Sequence, residues 1–185
     1  MIRDPEKTMS TQTGAQASAR AKSWAPETLE RVLLSHPLMH DCEPIYIQSL
    51  VECASNVTFN NGEVIFRQGE DADQFYLIRH GRVVLEISTP GCDPITLQTV
   101  GEGDFLGWSW MITPYRWHFD ARAVELTRAI LVDGICIRRK CDADHDFGYE
   151  VMRRVTRMME HRLQATRLQL LDIYGIRSDV KHRSR

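Results

Sequence analysis

The stretch that decides the fold spans residues 62–85 and reads GEVIFRQGEDADQFYLIRHGRVVL. Short runs of β-branched and aromatic residues alternate in it with the glycines Gly62, Gly69 and Gly81. Glycine is favoured where a chain turns through a positive φ, so these positions predict tight turns between strands. The same texture continues to Gly101, with turn signals at a spacing typical of an all-β sandwich or barrel.

Side chains in this stretch alternate as expected for strands with one buried face. The alternating apolar positions are Phe75, Leu77, Val83 and Leu85. Helical patterns flank the strands on both sides. Pro26 is expected to open a first short helix, with Leu29, Val32 and Leu33 on its apolar face, and Pro37 to end it. A second short helix is expected after Pro44, burying Ile45, Ile47, Leu50 and Val51.

A long helix is predicted over residues 147–174, ending at Gly175. It would be roughly 40 Å long, which exceeds what a small barrel can cover. We therefore expect part of its apolar stripe to form a homodimer interface. The stripe consists of Met152, Val155, Met159, Leu163, Leu170 and Ile173.

The domain organisation follows from these patterns. We expect a disordered segment over residues 1–23, because it is polar and lacks apolar periodicity. A β-barrel domain with its N-terminal helices is expected over residues 24–146. The dimerisation helix would occupy residues 147–175, and a basic tail residues 176–185.

The strand and turn pattern resembles the cyclic nucleotide-binding domain of bacterial Crp/Fnr-type regulators and of kinase and channel regulatory domains. The resemblance covers residues 27–174. It implies a jelly-roll (double-stranded β-helix) barrel with flanking helices, a regulatory rather than catalytic role, and pairing of the long helices. The positions that carry it are Gly62, Gly69, Glu70, Asp73, residues 75–78, Gly81, Leu97, Gly101, Gly103, Asp104, Phe105 and Gly107.

The resemblance also locates a ligand pocket, and this chain departs from the family there. In the family, a Glu after the Gly-Asp-Phe strand binds the ribose, and an Arg about ten residues later pairs with the cyclic phosphate. Trp108 stands at the Glu position and Trp117 at the Arg position, with Arg116 one residue away. We therefore expect cAMP and cGMP to bind weakly or not at all. The predicted pocket residues are Gly107, Trp108, Ser109, Trp110, Arg116, Trp117 and Arg122.

Several interpretations of this pocket stay open at this point. The tryptophans fill the cavity themselves, or they form a stacking platform for another small planar ligand. Alternatively, Arg116 or Arg122 serves as the phosphate partner and the protein is a functional cAMP receptor. A haem- or metal-binding sensor, with His80 and Cys92 as ligands, is a further alternative.

Other function classes are not favoured. No histidine pair has the spacing of a cupin metal site and no phosphate-binding glycine loop occurs, so we expect no enzyme activity and no cofactor. The formal net charge is −2, and only ten residues follow Gly175, too few for a helix-turn-helix. We expect no sequence-specific nucleic-acid binding, no membrane span, reduced thiols and a cytoplasmic protein that acts on an unknown protein effector.

Overall fold

The protein is described by a computed structural model covering residues 28–89 and 91–173, without the side chains of Asp172 and Ile173. The strands are β1 (Ala54–Phe59), β2 (Val64–Phe66), β3 (Gln74–His80), β4 (Val83–Ile87), β5 (Ile95–Val100), β6 (Phe105–Leu106), β7 (Asp120–Ala123) and β8 (Thr127–Asp133). The helices are α1 (Leu29–Ser35), α2 (Pro44–Val51), α3 (Gly134–Ala143) and α4 (His145–Ile173), with 3-10 turns at Pro37–Met39 and Ser109–Met111.

The strands form two antiparallel four-stranded sheets, ordered β1-β8-β3-β6 and β2-β7-β4-β5. One apolar cluster draws on both sheets, with Ile78 and Ala129 from the first and Val83 and Ala121 from the second. The sheets therefore pack face to face. The predicted mainly β jelly-roll fold with flanking helices is confirmed, although the sheets remain two layers and do not close into a barrel.

Strand β3 differs from the sequence expectation because both of its faces are buried. Tyr76 and Ile78 face the opposite sheet. Phe75 and Leu77, expected to belong to a half-buried strand, lie in a second core beneath the helices. Their exposed fractions are 3% and 0%. Helices that are distant in sequence cover the face of β3 that points away from the other sheet. The alternation of side chains along a strand does not indicate whether a helix packs on that face.

The N-terminal helices follow local signals. Thr28 caps α1 by accepting a hydrogen bond from the Arg31 amide. Helix α2 begins at Pro44, where the missing amide proton costs nothing. Ile47 and Leu50 are buried as predicted. The expectation for Ile45 was wrong, since its side chain is 68% exposed.

The cysteine expectation also needs correction. Cys53, just before β1, and Cys136, in α3, form a disulfide with a Cα–Cα distance of 5.9 Å. Scattered spacing gave no sign of this pair, because the two residues are 83 positions apart and only the fold brings them together. Cys42, Cys92 and Cys141 are free thiols.

Helix α4 begins at His145, two residues before the predicted start, and its described part ends at Ile173. Its first half packs on the domain through Phe147 and Val155, which are 2% and 6% exposed. The buried Arg154 donates hydrogen bonds to the carbonyls of Leu38 (2.6 Å) and His40 (2.8 Å). These bonds fix the helix to the turn between α1 and α2.

In the second half of α4, Arg162 lies beside Trp108, whereas the described leucines are about half exposed. Met158 is the last residue of the described part of α4 that packs against the core beneath the helices. No helix in the described ranges is both long enough and apolar enough to span a membrane. Pro26, Gly175, the segment 1–23 and the tail 176–185 lie outside the described residues.

Candidate functional site

The candidate site lies where the chain leaves β6 and forms the 3-10 turn Ser109–Met111. Gly107 sits at this exit with a φ of +86°, a conformation that residues with a Cβ rarely adopt. A Cβ placed on Gly107 would lie 2.7 Å from the outer ring atoms of Trp117. The absence of a side chain at Gly107 is thus what lets the Trp117 indole occupy the adjacent space.

Trp117 is held by both its ring and its backbone. The indole stacks on Phe66 with ring centroids 3.8 Å apart and planes inclined by 10°. Its amide donates to the Glu70 carbonyl (3.0 Å), and its own carbonyl accepts from Gly69 (2.8 Å). The side chain is only 5% exposed. Trp117 is therefore a fixed wall of the site.

The other two tryptophans of this segment lie in different surroundings. Trp110 is 1% exposed and stacks on Phe75 in the core beneath the helices, with ring centroids 4.9 Å apart. Trp108 is half-buried at the cavity, and the guanidinium of Arg162 from α4 lies 5.5 Å from its ring centroid. Of these three tryptophans, only Trp108 and Trp117 line the cavity, so the three rings do not form one stacking platform.

Arg116 and Arg122 both point away from this cavity and have carboxylate partners. Arg116 is an exposed residue whose Nη1 lies 2.9 Å from Asp71 and 3.1 Å from the Gly69 carbonyl. Arg122 makes a bidentate pair with Glu86, at 2.8 Å and 2.7 Å. Its strand neighbours Ala121 and Ala123 are both in the core between the sheets, so Arg122 projects from the opposite face.

The cavity itself has a volume of about 70 Å³ and is open to solvent on one side. Of the predicted pocket residues, Gly107, Trp108, Ser109 and Trp117 line it, whereas Trp110, Arg116 and Arg122 do not. The Ser109 hydroxyl lies 3.1 Å from Nδ1 of His118. Sequence analysis missed the remaining lining residues. Two of them, His118 and Phe119, directly follow Trp117, and the others come from distant elements: Phe66, Leu85, Gln98 and Arg162.

The residues proposed for a haem or metal site lie elsewhere. His80 is an exposed side chain 3.6 Å from the Glu102 carboxylate, and Cys92 is exposed. Neither lines the cavity. Within the described ranges, no three His, Cys, Asp or Glu side chains are grouped so that they could hold a metal ion.

Comparison with known families identifies the domain. Residues 56–144 match the cyclic nucleotide-binding domain. This part of the chain is a cyclic nucleotide-binding domain. Its fold is that of a cyclic nucleotide-binding domain from Methylobacillus flagellatus (TM-score 0.65, 16% identity, 78% of this chain and 82% of that chain).

Two curated proteins are similar in sequence to this cyclic nucleotide-binding domain. One is a cAMP-dependent protein kinase regulatory subunit from Dictyostelium discoideum, 31% identical over 50% of this chain. The other is a CRP-like cAMP-activated global transcriptional regulator from Mycobacterium tuberculosis, 26% identical over 78% of this chain. The chain spans 29% of the first relative and 63% of the second. Both relatives are regulatory proteins.

Proposed function

We propose that this cyclic nucleotide-binding domain is a non-catalytic sensor module whose cavity takes a ligand other than cAMP or cGMP. The observation that carries the proposal is the position of Trp117. Its indole is stacked on Phe66 and pressed against Gly107, at the point where the family resemblance places the phosphate-binding arginine. The ring atoms beside Gly107 are carbons, so they offer a cyclic phosphate neither a positive charge nor a hydrogen-bond donor there.

The energetic consequence is large. A hydrogen bond to a charged group contributes on the order of 1.5–3 kcal/mol, so its loss weakens binding by roughly one to two decades. Trp108 at the glutamate position removes the carboxylate acceptor for the ribose as well. Two such losses move a micromolar ligand towards the millimolar range.

Arg122 is a poor substitute for the missing arginine. Glu86, its partner, has a side chain only 5% exposed. Turning Arg122 towards the cavity would leave that carboxylate buried without a cation, at a cost of about 3–5 kcal/mol. Arg116 is less constrained, since its ion pair with Asp71 lies at the surface, but its side chain does not line the cavity.

Calorimetric titration with cAMP and cGMP tests this proposal. We expect no saturable binding below the millimolar range for the wild type, for Arg116→Ala or for Arg122→Ala. A micromolar dissociation constant for either nucleotide would refute the proposal. Loss of that binding in one of the two alanine variants would then identify the arginine that binds the phosphate.

We further propose that the protein forms a homodimer through α4 and acts on a protein effector. Crp/Fnr-type regulators commonly dimerise, and four leucines on the far half of α4 support the same arrangement here. Their exposed fractions are 51% for Leu163, 48% for Leu168, 47% for Leu170 and 40% for Leu171. Leu163 and Leu170 are seven residues apart and therefore share one helix face. Sedimentation of the full chain at tens of micromolar tests the dimer.

A further inference from the structure

Arg162 is an unusual residue of the cavity because its charge is withdrawn from water without a carboxylate partner. Within the described part of the chain, its Nη2 atom is buried and has no hydrogen-bond partner. Burial lowers the pKa of Arg162, and attraction to Asp104 offsets this only in part. The contact with the Trp108 ring holds the guanidinium at the cavity but accepts no hydrogen bond from Nη2. One guanidinium donor is thus left unpaired in a residue that lines the cavity.

The remaining walls determine which ligand would suit that donor. No Asp or Glu lines the cavity, so Arg162 is its only fully charged lining residue among those described. Phe66, Leu85 and Phe119 provide apolar walls, beside the two indoles. Further polar groups come from residues such as Ser109 and His118. An enclosure of this kind favours a flat, apolar ligand with a single negative charge.

We infer that the cavity binds a small planar aromatic carboxylate, with its carboxylate oxygens accepting hydrogen bonds from Arg162 and its ring against Trp108. The inference rests on the proposed function, because it requires a cavity that takes a ligand other than a cyclic nucleotide. A guanidinium and a carboxylate match in charge and in planar geometry. A phosphate dianion would leave one charge uncompensated among apolar walls, which makes it the poorer fit.

The position of Arg162 also links this ligand to the remainder of the molecule. Arg162 lies two turns after Arg154, the residue that fixes α4 to the carbonyls of Leu38 and His40. It lies one residue before Leu163, which is on the proposed dimer face. A ligand held by Arg162 therefore contacts the sheets and α4 at once.

The test uses a pair of probes of matched shape, benzoate and its neutral amide benzamide. Calorimetry on the full chain should show benzoate binding at least about tenfold more tightly than benzamide. Arg162→Gln should remove this preference by weakening carboxylate binding about 10- to 100-fold, with amide binding unchanged. Arg157→Gln is the matched control, since Arg157 is exposed on the same helix and does not line the cavity, and it should keep the preference.

Equal binding of carboxylate and amide to the wild type would overturn the inference, and so would an unchanged preference in Arg162→Gln. If Arg162→Gln does not fold, the preference in the wild type decides by itself. A cAMP titration separates the two proposals. Micromolar binding of cAMP refutes the proposed function, whereas absence of both cAMP binding and carboxylate preference refutes only this inference.

Discussion

The contact between Gly107 and Trp117 allows a stability prediction with a built-in control. Gly107 and Gly62 have the same φ of +86°, yet a Cβ on Gly62 meets nothing within 4 Å, whereas a Cβ on Gly107 meets the Trp117 ring at 2.7 Å. Gly62→Ala should therefore cost only the left-handed backbone penalty, about 1–2 kcal/mol. Gly107→Ala should cost that penalty and about 1–3 kcal/mol more for overpacking.

A double-mutant cycle isolates the second contribution. Trp117→Leu removes the ring atoms that a Cβ at position 107 would meet. In that background, Gly107→Ala should cost no more than Gly62→Ala does, so the two changes should couple by about 1–3 kcal/mol. Urea unfolding of the four proteins of the cycle measures this coupling. If the costs add to within about 0.5 kcal/mol, Trp117 does not occupy the space beside Gly107, and the proposal that it excludes cyclic nucleotides is refuted.

Three further predictions concern the exposed leucines of α4, His36 and the disulfide. Leu163→Asp and Leu170→Asp should each convert the dimer to a monomer in sedimentation, and a wild-type species of 21.4 kDa at tens of micromolar would contradict the dimer. Burial lowers the pKa of His36 from its ordinary 6.5, opposed by Asp104, so the unfolded chain takes up this proton first as the pH falls. The contribution of neutral His36 to the stability of the fold is full above about pH 6.5 and is lost as the pH falls through the folded pKa. His36→Gln should therefore flatten the fall of the melting temperature with pH in this range. A variant with the same pH profile of the melting temperature as the wild type would contradict this prediction. Reducing the disulfide between Cys53 and Cys136 should lower the free energy of unfolding by about 4 kcal/mol, whereas Cys92→Ser should change neither the reduced nor the oxidised stability.

The order of strands and turns could be predicted from the sequence because it depends on local signals. Glycines such as Gly62 and Gly81 adopt positive φ values, as their spacing indicates. Pro44 begins α2 as its position predicts. The expected burial was wrong where a distant element decides it. The outer face of β3 is covered by helices from both ends of the domain, which strand alternation does not report.

The candidate site was predictable only in part, for the same reason. The family resemblance led to Gly107, Trp108, Ser109 and Trp117, which are neighbours in one segment of chain and line the cavity. Arg162 gave no signal, since in sequence it is one of several arginines on a helix with an apolar stripe. Its place at the cavity depends on the path of α4, which Arg154 fixes through contacts with residues more than a hundred positions away.

Because Arg154 attaches α4 to the turn between α1 and α2, a tilt of α4 about this point displaces residues by distances that increase along the helix. Arg162, which lies at the cavity, is two helical turns beyond Arg154, and Leu170 is about two turns farther along α4. Sixteen residues of helix separate Arg154 from Leu170, or about 24 Å, so a tilt of about 5° at Arg154 displaces Leu170 by about 2 Å. The displacement at Arg162 is half as large. A movement of Arg162 by up to about 1 Å relative to Trp108 therefore corresponds to a movement of Leu170 that is twice as large.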